Sequence, residues 1–131
     1  MKYYIQRVSL FLLLVLSLSA CAKKPAKLVF MTKEVKMGVI TKNPVKHELT
    51  VELKNKGKEN AYINDIRTSC TCVKGYPQKM IIKPGEAITV KITVDTKDFL
   101  IGEFSKDLGV YIRGNETPTM LKISGTMDRI N

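Results

Sequence analysis

Apolar and polar residues alternate with a period of two along this chain, and no other feature limits its fold so strongly. In His47–Lys54 the apolar positions are Leu49, Val51 and Leu53; in Ile88–Val94 they are Ile88, Val90, Ile92 and Val94. In Phe104–Arg113 they are Phe104, Leu108, Val110 and Ile112, and in Leu121–Met127 they are Leu121, Ile123 and Met127. Side chains along a strand point alternately to opposite sheet faces, so each run specifies a strand with one buried face. Weaker candidates are Leu28–Met31, Val35–Ile40, Ala61–Arg67 and Met80–Ile82. Between the strong runs stand "KNKGKEN", "KPGE", "DFLIGE" and "RGNETPT". Pro84-Gly85 suits a tight turn, because proline presets its own dihedral and glycine accepts positive φ. Seven to eight short strands at this spacing predict an all-β, antiparallel, immunoglobulin-like sandwich, with a small barrel as the alternative. Residues 28–131 are long enough for one such domain.

The N-terminus has a different character. Lys2 and Arg7 precede an apolar run, Val8–Leu18, which ends in Ser19-Ala20-Cys21 and the polar stretch "AKKPAK". The run falls short of the roughly 20 apolar residues a bilayer crossing needs, so residues 1–20 read as a cleaved export signal. Leu18-Ser19-Ala20-Cys21 resembles the lipobox of bacterial lipoproteins, which implies acylation of the Cys21 thiol and a membrane-lipid partner. Acyl chains contribute roughly 0.8 kcal/mol per buried methylene, so several of them hold a small domain at a membrane. Residues 21–27 then form a lipidated N-terminus and tether. The tether lacks an acidic residue after the anchor. By the same resemblance, that directs the expectation to an outer membrane, with the domain facing the periplasm.

The chain has 22 basic and 12 acidic residues, and removing Lys2 and Arg7 with the signal leaves a surplus of eight positive charges. The lysines are scattered among strand residues without arginine clusters or interleaved aromatics, which argues against nucleic acid. A solvated basic face is the simplest reading, with anionic lipid, polysaccharide or protein open as envelope partners.

Cys70 and Cys72, in "TSCTCVKG", lie one residue apart. On an extended strand they share a face, with Cα atoms about 6.6–6.8 Å apart, the upper limit for a disulfide, so closing one requires a bend. An exported chain meets oxidising conditions. Unpaired structural thiols, or a soft-metal or redox pair holding Cu(I), are the other readings. Copper would draw on a thioether from Met31, Met37, Met80, Met120 or Met127, although methionines in a sandwich more commonly fill the core. Zinc lacks ligands, because His47 is the one histidine. No Gly-x-Ser-x-Gly elbow, His-Glu-x-x-His pair or phosphate-binding glycine loop is present, and Asp95 and Asp98 sit where they would cap a turn. The expectation is a non-catalytic binding or scaffolding module.

Together these segments carry a resemblance. A strand ending in Asn55-x-Gly57, the Ser69–Cys72 segment, the turn Pro84-Gly85-Glu86, Gly102-x-Phe104, Asn115 and a closing strand with Gly125 resemble the bacterial family called domain of unknown function 1573. The resemblance covers Leu28 to Met127. It implies a sandwich similar to the domains of sperm major protein and hydin, common in exported or lipid-anchored proteins, and implies no activity. The family often places glycine between the two cysteines, where this chain has Thr71.

Overall fold

The computed structural model describes residues 2–16, 24–41 and 43–129. Lys2–Leu16, within the segment read as an export signal, form the helix α1. No helix among the described residues is long and apolar enough to cross a membrane.

Nine strands follow among the described residues: β1 (Leu28–Phe30), β2 (Glu34–Ile40), β3 (Lys46–Asn55), β4 (Ala61–Thr68), β5 (Val73–Pro77), β6 (Ile81–Ile82), β7 (Ala87–Asp95), β8 (Gly102–Ile112) and β9 (Asn115–Met127). They form two sheets, β1-β3-β7-β5 and β2-β9-β8-β4-β6, which enclose one core. The strong period-two runs supply most of the core, with Leu49 and Phe104 only partly buried against it. Val51, Leu53, Ile88, Val90, Ile92, Val94, Leu108, Val110, Ile112, Leu121, Ile123 and Met127 are all buried. Burying each such side chain contributes about 1.5–3 kcal/mol, so the facing rows supply the main drive for sandwich closure. Among the described residues, every buried core side chain lies between Leu28 and Met127. A chain beginning at residue 24 therefore keeps all of these core side chains.

Two expectations need correcting. The sandwich is not wholly antiparallel, because β2 runs parallel to β9, with Val35 opposite Ile123 and Ile40 opposite Met127. The cause is the path of the first two strands. β1 pairs with β3 in one sheet, the chain switches sheets over Met31–Lys33 without reversing, and β2 continues in the same direction beside β9. The second concerns segments with proline: "VKGYP", absent from the strand candidates, is the edge strand β5 paired with β7. Proline and glycine disfavour strands, but an edge strand tolerates a residue with no ladder donor. Likewise "NETPT", expected as a turn, begins β9. Pro118 fits there because β2 pairs with β9 only from Lys122 onward, so β9 has a free edge at Pro118.

The Phe104–Gly125 motif pair is a cross-strand contact. The two residues are register partners, and a Cβ at position 125 would meet the Phe104 Cζ at 2.7 Å and the Gly38 carbonyl oxygen at 3.0 Å. The ring covers the glycine and packs edge-on against Phe99, with centroids 4.8 Å apart.

Candidate functional site

Strand directions sort the loops into two poles. The Asn55–Asn60 and Lys83–Glu86 connections, the Arg113–Gly114 hairpin and the start of β1 lie at one end; Ser69–Cys72, Thr96–Ile101 and the start of β3 lie at the other.

At the second pole the chain leaves β4 and crosses to β5 through the cysteine segment. Cys70 and Cys72 are at disulfide-bonding distance with Cα atoms 5.2 Å apart, shorter than an extended spacing, so the required bend is present. β4 ends at Thr68, and the bend over Ser69–Cys72, not strand alternation, brings the two side chains together. The corner is held independently of the sulfurs. The Thr68 hydroxyl lies 2.6 Å from the Cys70 carbonyl and 3.0 Å from that of Val73. Ser69 N–H donates to the Asp107 carbonyl while Asp107 N–H donates to Ser69 Oγ, both at 3.0 Å. Asp95 N–H donates to the Cys72 carbonyl at 2.7 Å. Thr71 serves in place of glycine without strain, since no non-glycine residue among those described has positive φ.

Removing the cysteine pair is therefore expected to loosen the corner without unfolding the domain. A ring of so few residues restricts little of the unfolded chain, and the entropic relation gives about 1–2 kcal/mol. Urea denaturation of the Cys70→Ser, Cys72→Ser double variant measures this. A loss above about 3 kcal/mol would show that the disulfide, not the backbone network, holds the corner.

Around this pole, Leu100 and Ile101 are 86% and 64% exposed, whereas Phe99 between them and Thr96 is buried. Asp95 Oδ1 accepts from Lys97 N–H at 3.0 Å, the turn-capping role expected of it. Asp98 is exposed. His47 lies at the start of β3 opposite Val94, and its buried Nε2 has no hydrogen-bond partner among the described residues. No three His, Cys, Asp or Glu side chains among the described residues group as a metal site. Of the methionines considered as copper ligands, Met127 is core and Met37 packs against it, while Met31, Met80 and Met120 lie exposed on other segments.

The first pole gathers four of the family-motif positions around Asn55, whose polar side chain is wholly buried. Asn55 Nδ2 donates to the carbonyls of Glu59 at 2.7 Å and Ile82 at 2.9 Å. Oδ1 accepts from the amides of Lys27 at 3.2 Å and Gly57 at 3.0 Å. Its backbone donates to the Glu86 carbonyl at 3.0 Å and accepts from Gly85 at 2.7 Å. Pro84-Gly85 makes the expected turn, with Gly85 at φ 78° and Glu86 N–H closing it onto the Lys83 carbonyl at 3.0 Å. Gly57 permits the N-terminal segment to lie directly on this loop, where Lys56 N–H donates to the Lys27 carbonyl at 2.7 Å and Lys58 N–H to that of Lys24 at 3.2 Å. Asn55 thus clasps the N-terminal segment Lys24–Lys27, the β3–β4 loop and the β6–β7 turn in one knot. Lys79 bonded to Glu86 at 3.1 Å, aided by the Lys83 amide, holds the Glu86 carboxyl below its usual range.

Asn115 belongs to a local turn. Its Oδ1 accepts from Thr117 N–H at 3.0 Å beside Gly114, whose φ is 81°. Gly102, with φ 115°, opens β8 at the cysteine pole. Cys21 lies outside the described residues.

Comparison with known proteins follows this geometry. A protein of unknown function from Porphyromonas gingivalis W83 superposes with TM-score 0.64 at 17% identity, over 82% of this chain and 49% of that one. PapD-like domain 7 of human CEP192 gives 0.59 at 13% identity, over 86% and 94%. The VesB protease of Vibrio cholerae gives 0.58 at 13% identity, over 77% and 31%. This chain spans about half the length of the first protein and about a third of the protease. At these identities the likeness is one of fold, an immunoglobulin-like, PapD-like sandwich. No curated protein matches the sequence. A family model described as protein of unknown function (DUF1573) matches residues 28–127, most of the chain, and the protein belongs to that family.

Proposed function

We propose that this protein is a lipid-anchored envelope module, acylated at Cys21, that binds a partner and performs no catalysis. The observation that carries this reading is the separation of the poles. The tether leaves the domain at the Asn55 knot, while the cysteine corner and exposed Leu100 and Ile101 occupy the opposite end. A domain held to a membrane through residues 21–27 presents its far pole outward. Apolar side chains exposed together there are the kind of feature a protein partner covers. The fold shared with VesB does not carry a protease function across, because activity resides in a site and not in a sandwich. His47, the one histidine, turns its ring inward on β3, and Asp95 is engaged in a turn.

The anchor is tested by producing the full chain in a bacterium fed a labelled fatty acid. Wild-type protein is expected to take up the label and remain with membranes after a high-salt wash. Cys21→Ala is expected to lose the label completely and pass into the soluble fraction. Label retained by Cys21→Ala, or none in the wild type, would refute acylation at this residue.

A further inference from the structure

The knot pole is strongly basic. Lys24, Lys27, Lys54, Lys56, Lys58 and Lys83 all belong to segments hydrogen-bonded to one another around Asn55, and all but the half-buried Lys54 are exposed. Four carboxylates stand nearby. Glu86 is engaged by Lys79 at 3.1 Å, and the charge of Glu116 on the adjoining hairpin is balanced by that of Arg113, whose guanidinium stacks on Tyr62 at 4.8 Å. Glu59, and Glu52 on the same face of β3 as Lys54, offset two of the six lysines, which leaves a surplus of four charges at this pole.

Position gives this surplus a partner. Cys21 precedes Lys24 by three residues, which span at most about 10–11 Å when fully extended. Lys24 is itself fastened to the pole through the Lys58 amide. An acylated Cys21 would hold Lys24, and with it the near edge of the lysine pole, within about one Debye length of a bilayer surface. Clasping the tether in the knot fixes which pole faces the lipid, because the segment cannot swing out without giving up the Asn55 and Lys56 bonds.

We propose that the lysine pole is a docking surface for anionic lipid headgroups, a second membrane contact that seats the domain upright on the bilayer with its cysteine corner away from the lipid. The proposal rests on the anchored reading for its biological setting, but its chemistry is testable without the acyl chain. An acyl anchor and a basic patch are complementary signals, and each lysine near an anionic surface contributes roughly fivefold in membrane partitioning.

Residues 24–131 retain the entire core and suffice for the test. Sedimentation with phosphatidylcholine vesicles containing about a third phosphatidylglycerol is expected to capture this domain, and pure phosphatidylcholine vesicles to leave it in solution. Lys56→Gln, Lys58→Gln, Lys83→Gln together should weaken capture about a hundredfold. Lys36→Gln, Lys74→Gln, Lys97→Gln, the same charge change at exposed sites elsewhere, should weaken it less than about fivefold. Equal losses in the two variants, no capture of the unmodified domain, or equal capture by neutral vesicles would each overturn the proposal. Pole-dependent binding to a soluble acidic polysaccharide with none to vesicles would do so as well. Acylation at Cys21 is read separately by fatty-acid labelling, so failure of the anchor and failure of the lysine pole are distinguishable.

Discussion

Asn55→Ala in residues 24–131 is expected to lower the free energy of unfolding by about 4 kcal/mol, the largest effect of any single polar substitution in the domain. The reason lies in what is left behind. Asn55 uses its full side-chain capacity, two donors and two acceptor sites, on four separate backbone groups. The bonds to the Ile82 carbonyl and the Gly57 amide are buried, so alanine would orphan both where water cannot reach, at about 1–3 kcal/mol each. Loosening the Lys27 and Glu59 partners adds less, because solvent can replace part of those bonds. Asn55→Asp provides a control with nearly the same shape. It keeps the two acceptors but turns carboxylate oxygens toward the carbonyls of Glu59 and Ile82. Its folded-state acid would titrate above the unfolded value, so the native state binds the extra proton. Stability of Asn55→Asp should therefore rise as pH falls through the carboxylate range, opposite to an ordinary ion-paired aspartate. Urea unfolding of both variants across pH measures this, and a loss below 1 kcal/mol for Asn55→Ala would remove the knot from the account.

Much of the architecture was legible because burial writes a local signature. Ile88, Val90, Ile92 and Val94 announce a strand by themselves, and each is buried on β7. For Cys70 and Cys72 the spacing showed that closure would need a bend, and the end of β4 at Thr68 supplies it, whereas the parity of an extended strand does not reach them. What stayed hidden depends on neighbours distant in sequence. Pro118 stood in a segment read as a turn and Val73–Pro77 drew no strand assignment, and only the sheet order shows that both prolines lie on a free edge. Asn55 in "KNKGKEN" read as a loop residue and a motif position, because asparagine between lysines and glycine is ordinary turn chemistry. Its bonds to Lys27 and Ile82 reach 28 and 27 residues along the chain, and no periodicity encodes them. The charge surplus was likewise visible as a total, whereas its gathering at one pole follows from which loops the topology brings together.

Gly57→Ala should cost more stability than Gly85→Ala, although Gly85 is the glycine with a left-handed backbone. At Gly85 a Cβ meets nothing within 4 Å, so the penalty is conformational, about 1 kcal/mol for an alanine held at φ 78°. At Gly57 the added carbon would fall 2.6 Å from Ala26 Cα and Lys27 N, and closer still to the Pro25 carbonyl. All three obstacles are backbone, so no side chain can rotate aside, and the strap must lift or the loop must distort. Overpacking of this kind costs about 1–3 kcal/mol, and lifting the strap forfeits the Lys27 contact with Asn55 and the two bonds from Lys56 and Lys58 besides. The expected loss is about 3 kcal/mol, concentrated at one place. Trypsin should then cut after Lys27 at least tenfold faster in Gly57→Ala than in the unmodified domain, while Gly85→Ala leaves that site protected. If Gly85→Ala proves the costlier change, or Lys27 remains resistant in Gly57→Ala, the strap is not held by close approach to Gly57. The proposed orientation of the lysine pole toward a membrane would then lose its support.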